Sequence, residues 1–317
     1  MGKQKAGRGK RDHFVSAGWQ KNFARRETGK GGNEKHKVCH FSVTTGEIID
    51  RDRNVESSLL ARDYGTFWNP DGSRNRTVDE LFSKTEDSVL RPLRSLSRRN
   101  VGEAEKNRII QLFAVHHARS VAMRSTLRAM VDDFAIRAPD ELLANSKVGR
   151  YWLLTKGRLP DRDEIAGYVE EFRREDDERK TTEVKHLPGI RDDAVRFLSK
   201  LNVQVVESPP SYPGFVLGDV PVVNALLSEQ RFGIRDGIKF DASDFIGGPL
   251  TRHQAVAFSH EHGEHFEITN PELIARFNVQ TLLAATHIVV CHPQDAEATK
   301  FLWDNRDAYR STAPLVH

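Results

Sequence analysis

The chain has 317 residues, 38% hydrophobic and 29% charged, a composition that suits a folded globular protein and excludes a disordered or fibrous one. No run approaches the ~20 apolar residues of a membrane span, so the expectation is a cytoplasmic protein with no membrane partner. The net charge of +3 is uneven: residues 1–40 carry eleven Lys or Arg against three Asp or Glu, a balance of +8, which leaves −5 for the rest.

Residues 1–12 are rich in Lys, Arg and Gly and read as a disordered basic arm; residues 13–317 read as one α+β domain. From His13 to Ala24, Phe14, Trp19 and Phe23 are spaced for a short helix. Lys37 to Val43 alternates and meets Ile48 and Ile49 across Thr44-Thr45-Gly46-Glu47, the pattern of a hairpin. Asn69-Pro70-Asp71-Gly72 marks a turn. Thr77 and Glu80 form a capping box for a helix over 77–97 that buries Leu81, Phe82, Val89, Leu90 and Leu93.

A single long helix is predicted over 103–133. Leu112, His116, Arg119, Met123 and Leu127 fall at steps of three or four on one of its sides. Pro139 reads as the opening of the next helix, Asp161 to Lys180 as a charged one with a solvated face, and Pro188 to Leu201 as another. Strands follow at 203–206 and 215–217, loop material at 228–244, and further strands near 249–250 and 254–259. Asn270-Pro271 is a helix start, Asn as cap and Pro at the first position; a strand at 287–291 and a helix near 295–303 close the chain. The expected architecture is α+β: a helical middle, helix-rich over 77–201, packed against a mostly antiparallel C-terminal sheet, with 202–304 mixed.

Candidate chemistry is scattered. Asp219 follows a short apolar strand through Gly218 and precedes Val220-Pro221, a strand end that can mount a catalytic or metal-binding carboxylate or equally fix a loop as an Asx turn. Arg119 and Arg124 offer paired donors for a phosphate or carboxylate. Glu86 and Asp219 are the residues to hold a divalent metal such as magnesium or manganese, His13 to serve as acid or base, and His116 and Asn278 to support the site. A buried Arg–carboxylate lock between helices and sheet is the structural alternative. His260, His262 and His265 invite a zinc reading, but their spacing is also that of a polar hairpin tip. Phosphate-loop, Rossmann, serine-elbow and kinase signatures are absent. Cys39 and Cys291, far apart in sequence, read as two reduced thiols.

In order along the chain, His13-Phe14-Val15 with Trp19 and Phe23, then Glu86, Phe113, Arg119 and Arg124, then Gly218-Asp219-Val220-Pro221, Gly248-Pro249-Leu250-Thr251 and Phe277-Asn278 resemble the bacterial family called domain of unknown function 4238. Ser16 stands where that family usually has proline, Trp19-Gln20 where it has an aromatic-leucine pair, and Arg252 where it has a second proline. The resemblance implies one domain in which these polar residues belong together, with Asp219 foremost. On this basis two functions are expected. One is a metal-assisted hydrolase or nuclease acting on a phosphate-containing substrate, with nucleic acid or a nucleotide as partner and Asp219, His13 and Glu86 as catalytic residues. The other is a non-enzymatic module that binds an anion or nucleic acid and keeps its polar network for structure.

Overall fold

A computed structural model describes residues 11–29, 32–69, 71, 73–93, 101–174, 176–260, 265–267 and 270–310. The fold opens with β1 (Arg11–His13), the short helix α1 (Ala17–Gln20) and β2 (Arg25–Thr28). The β3 (Glu34–Ser42) and β4 (Glu47–Asn54) pair follows, turning at Gly46, whose φ of +74° a side chain would resist. β5 (Leu60–Arg62), β6 (Phe67–Trp68) and β7 (Arg74–Asn75) lead into the helices. These are α2 (Thr77–Leu93), α3 (Glu103–Ala118), α4 (Val121–Ala144), α5 (Ser146–Lys156), α6 (Arg162–Arg174) and α7 (Asp176–Leu198). The last part holds β8 (Asn202–Glu207), β9 (Leu217–Gly218), β10 (Val223–Leu226), β11 (Arg231–Phe232), β12 (Phe245–Thr251), β13 (Gln254–Ser259) and β14 (His265–Glu267). It ends with α8 (Pro271–Ala284), β15 (Ile288–Cys291), α9 (Ala296–Asp304) and α10 (Arg306–Tyr309).

The class is α+β. A C-terminal sheet runs in the order β11-β10-β12-β13-β8-β14, antiparallel except for β14 against β8. A second sheet runs β2-β3-β15-β9 with β4 on β3, so the N-terminal hairpin is completed by the strand after α8. α8 lies in both cores: Ile274 and Phe277 join the cluster of Trp19, Phe113 and Phe215, while Val279 and Leu282 join that of Phe41, Val289 and Cys291. A helix buried on both sides carries apolar residues around most of its circumference.

Four expectations are corrected. The helix over 103–133 is two helices: Ser120 caps α4, its hydroxyl accepting from the Met123 amide at 3.2 Å, so the stripe through His116, Arg119 and Met123 is interrupted. Pro139 and Pro188 lie inside α4 and α7 rather than opening helices. Ala138 and Leu187 beside them are buried, so packing competes there with the local cost of proline. Residues 228–244 include β11 and two short 3₁₀ turns as well as loop. Leu81 is exposed, on the outer face of α2. Part of the expected disordered arm is also structured: β1 includes Arg11 and Asp12, paired with β5. Residues 1–10, the end of the helix predicted to 97, and the side chains of His262 and His265 lie outside the described residues.

Candidate functional site

His13 ends β1. Its Nδ1 lies 2.9 Å from the Ser58 carbonyl, and its own carbonyl accepts from Arg119. Arg119 follows the last residue of α3, and its Nη1 donates to Glu86 Oε1 at 2.9 Å; His116 Nε2, one turn earlier, lies 3.1 Å from the same oxygen. Asp79 is 3.7 Å from Arg119 and also pairs with Arg76, which reaches Asp12 at 3.0 Å. Glu86, His116 and Arg119 are all buried. Burial pushes the Glu86 carboxyl up, but Arg119 and His116 outweigh it and hold the group below its usual range. Burial lowers His116 and His13 below the usual imidazole range, against the opposing pull of Glu86 on both rings.

A second buried lock lies beside the first. Arg124 donates to Glu183 at 2.9 Å and to the Tyr64 carbonyl, and its guanidinium stacks 4.4 Å from the Tyr64 ring. The Tyr64 hydroxyl donates to the Arg119 carbonyl at 2.8 Å, which joins the two locks, and burial pushes its pKa up to about 12. Arg119 and Arg124 are thus each met by a carboxylate, the structural alternative weighed for them.

Among the described residues Asp219 makes no hydrogen bond or ion pair with either lock, although its carboxylate is close enough to act on the Tyr64 hydroxyl. Asp219 follows the last residue of β9, and its carboxylate accepts from the Thr286, His287 and Ile288 amides at 2.7, 2.7 and 3.1 Å. Burial pushes its carboxyl up against the pull of those three donors. Asn278 braces the strand leading to it, accepting from the Val216 amide at 3.1 Å and donating to the Gly214 carbonyl at 2.9 Å. Glu86 and Asp219 share no partner, and the donors described occupy both Asp219 oxygens and Glu86 Oε1. A metal held between them would have to displace these donors. Among the described residues no group of three or more His, Cys, Asp or Glu is arranged to hold a metal.

Where Asp219, β1 and the β3–β4 hairpin meet, a pocket of about 530 Å³ opens to solvent. Phe14, Ile49, Leu59, Leu60, Ala61, Val121 and Ile288 line it, with His40, Arg53, Ser57, Asp219 and His287 as its polar members. His40 Nε2 lies 2.6 Å from Ser58 Oγ, and burial drives its pKa down to about 4. Arg53 donates to the Ser57 carbonyl at 3.2 Å, lies 3.8 Å from the Asp50 carboxylate and is half-exposed. Leu59 has φ +48°, a left-handed conformation rare for a residue with a branched side chain. Such strain persists only where the surroundings over-determine it, and it clusters at binding sites.

The sequence pattern singled out Asp219 of this pocket and the neighbours of its wall, but not His40, Ser58 or Arg53. The β3 alternation puts His40 on a strand; only the docking of loop 55–59 brings Ser58 to it.

The spaced motifs also pack on one another. The Trp19 indole donates to the Pro249 carbonyl at 3.1 Å, and its ring lies 5.9 Å from Phe113 and 4.6 Å from His116. A Cβ on Gly248 would sit 2.4 Å from the Pro221 carbonyl, so the segments 218–221 and 248–251 meet only because this residue is glycine. Phe277 packs on Phe215 at 5.2 Å. The chain matches, over residues 11–295, the family described as Protein of unknown function (DUF4238). It belongs to that family. No curated protein and no solved structure matches it. Its departures from the DUF4238 pattern have local partners. Ser16 keeps φ at −57°, the value proline supplies, and caps α1 by accepting from the Trp19 amide at 3.2 Å. Arg252 makes a two-pronged pair with buried Asp295, both contacts 2.8 Å.

Proposed function

We propose that this protein binds a small amphipathic molecule carrying an anionic group in the pocket bounded by Phe14, Leu59, Arg53 and Asp219, and that the Glu86–His116–Arg119 cluster is the scaffold of its wall. This is the binding-module expectation with the binding site moved from Arg119 and Arg124 to the pocket. The observation that carries it is the pocket itself. Its volume is that of a small-ligand site, and its walls are mainly apolar with a few polar groups among them. Arg53, with Asp50 only at 3.8 Å, and His287 are both exposed lining residues, so an anion beside them keeps part of its hydration. Asp219 has its charge balanced by three amides, which removes most of the repulsion an anion would otherwise meet. The inner guanidinium groups are already neutralised by Glu86 and Glu183.

Calorimetric titration with an aryl-alkyl carboxylate and its uncharged amide tests the reading. The carboxylate should bind about tenfold tighter, the scale of one charge-assisted contact, and Arg53→Gln should erase the difference. Equal binding of the two, or no binding of either, contradicts it.

The hydrolase reading retains one favourable observation. Ser58 Oγ beside His40 Nε2 is the spacing of a nucleophile and its base. Against it, Ser58 is fully buried and His40, with a pKa of about 4, is a weak base. Turnover of an aryl phosphate or ester that disappears in Ser58→Ala, with binding retained, would favour this second reading.

A further inference from the structure

α5 is a helix with no buried residue. Its ends are nonetheless fixed: Asn145 accepts from the Lys147 amide at 3.0 Å, and Gly157 closes it at φ +73° with its amide on the Leu153 carbonyl at 3.1 Å. Around it Leu154 is 77% exposed, Tyr151 62%, Leu159 61% and Leu153 50%. Apolar side chains this exposed and this close together mark a contact surface.

The charges say what the surface meets. Residues 142–160 contain Lys147, Arg150, Lys156 and Arg158 and no Asp or Glu, although the whole chain has 45 acidic residues. Arg158 is held by Glu164 at 2.7 Å; Lys147, Arg150 and Lys156 make no ion pair with a described residue. At 100° per residue, Leu153, Arg150, Leu154, Lys147 and Tyr151 fall on one side of α5 in that order, apolar and cationic groups interleaved. On the inner side Trp152 stands between Tyr151 and Tyr168, ring centroids 6.2 and 6.3 Å away, with its indole N–H unpartnered. Short apolar side chains between long cationic ones, with Tyr151 at the margin, are the composition of a helix lying in a lipid interface.

We infer that α5 attaches this protein peripherally to an anionic lipid surface, its Leu and Tyr side chains entering the headgroup layer while Lys147 and Arg150 engage lipid phosphates. No helix among the described residues is long and apolar enough to cross a membrane, and attachment of this kind needs none. The expectation of no membrane partner rested on span length alone. The inference is independent of the pocket and of its ligand.

Flotation of the full chain with vesicles of phosphatidylcholine, with and without phosphatidylglycerol, is the test. Wild type should float with the anionic vesicles and not with phosphatidylcholine alone, and added salt should release it. Lys147→Gln with Arg150→Gln should lower partitioning about 30-fold, from roughly 1 kcal/mol per charge. Leu153→Ser with Leu154→Ser should lower it at least tenfold. Both double variants should melt with wild type, because the sites are exposed. Absence of flotation, equal flotation with both lipids, or flotation that neither double variant weakens overturns the inference. So does a dimer that the leucine variants dissociate while lipid binding is unaltered, since the face would then be an interface between copies.

Discussion

Arg119 ties Glu86 to His13, its guanidinium donating at once to the carboxylate of α2 and to the backbone carbonyl at the end of β1. That single side chain fixes the entry of the chain against the helical middle, and Phe14, the residue after β1, lines the pocket. Three of the polar residues that the family pattern spreads over the sequence, His13, Glu86 and Arg119, thus meet at one point of the fold.

Loss of the Glu86 carboxylate leaves a buried guanidinium with only carbonyl partners and the more distant Asp79. Glu86→Leu should cost about 3–5 kcal/mol, read from urea denaturation. Glu86→Leu combined with Arg119→Met should recover much of that loss, because an apolar pair of similar volume needs no compensation. A single variant that loses under 1 kcal/mol would show that the cluster is not a lock.

Asp219→Asn replaces one acceptor oxygen by a donor facing a backbone amide. With three amides converging on the carboxylate, a loss of about 1–3 kcal/mol is expected, together with local exposure of the 286–288 amides to hydrogen exchange. An unchanged melting temperature would mean that the aspartate is not needed for the turn.

How far this was legible in the sequence depended on how local each signal was. The hairpin at Gly46 and the helix start at Asn270-Pro271 are set by neighbouring residues, and both stand where the sequence puts them. Asp219 could be placed at a strand end because glycine and proline punctuate it. The break at Ser120 was hidden because its cap competes with a continuous helical periodicity on both sides. The prolines misled because packing of the buried residues beside them competes with the local signal. The His40–Ser58 contact could not be seen: it joins a strand to a loop eighteen positions later through a left-handed Leu59 that no residue type announces.

Acid should weaken the fold through His40. Its pKa is 6.5 as a free group and about 4 in the fold, so the native state favours the neutral ring. The stabilisation is complete above pH 6.5, declines as pH falls because the unfolded chain binds the proton first, and is gone below about pH 4. It amounts to roughly 3 kcal/mol at most. His40→Gln keeps a hydrogen-bonding partner for Ser58 and removes the titration, so its stability should fall less than that of wild type across this window. Parallel pH profiles for the two proteins would contradict the assignment.

Arg252→Pro restores the residue the family usually carries, yet should destabilise this chain. Asp295 is buried, receives both prongs of Arg252, and also accepts from the Gly214 amide at 3.2 Å. Removing the guanidinium leaves that carboxylate with an amide alone, at an expected cost of about 3 kcal/mol in urea. Arg252→Pro with Asp295→Ala should be milder than Arg252→Pro alone; additive losses would show that the two side chains act separately.

The most direct measurement is amide chemical-shift mapping of the full chain titrated with the aryl-alkyl carboxylate. The account predicts saturable shifts at Phe14, His40, Leu59 to Ala61, His287 and Ile288, with Glu86, His116 and Arg124 unmoved. Shifts centred on Arg119, Arg124 and Glu183, or none that saturate, would contradict it.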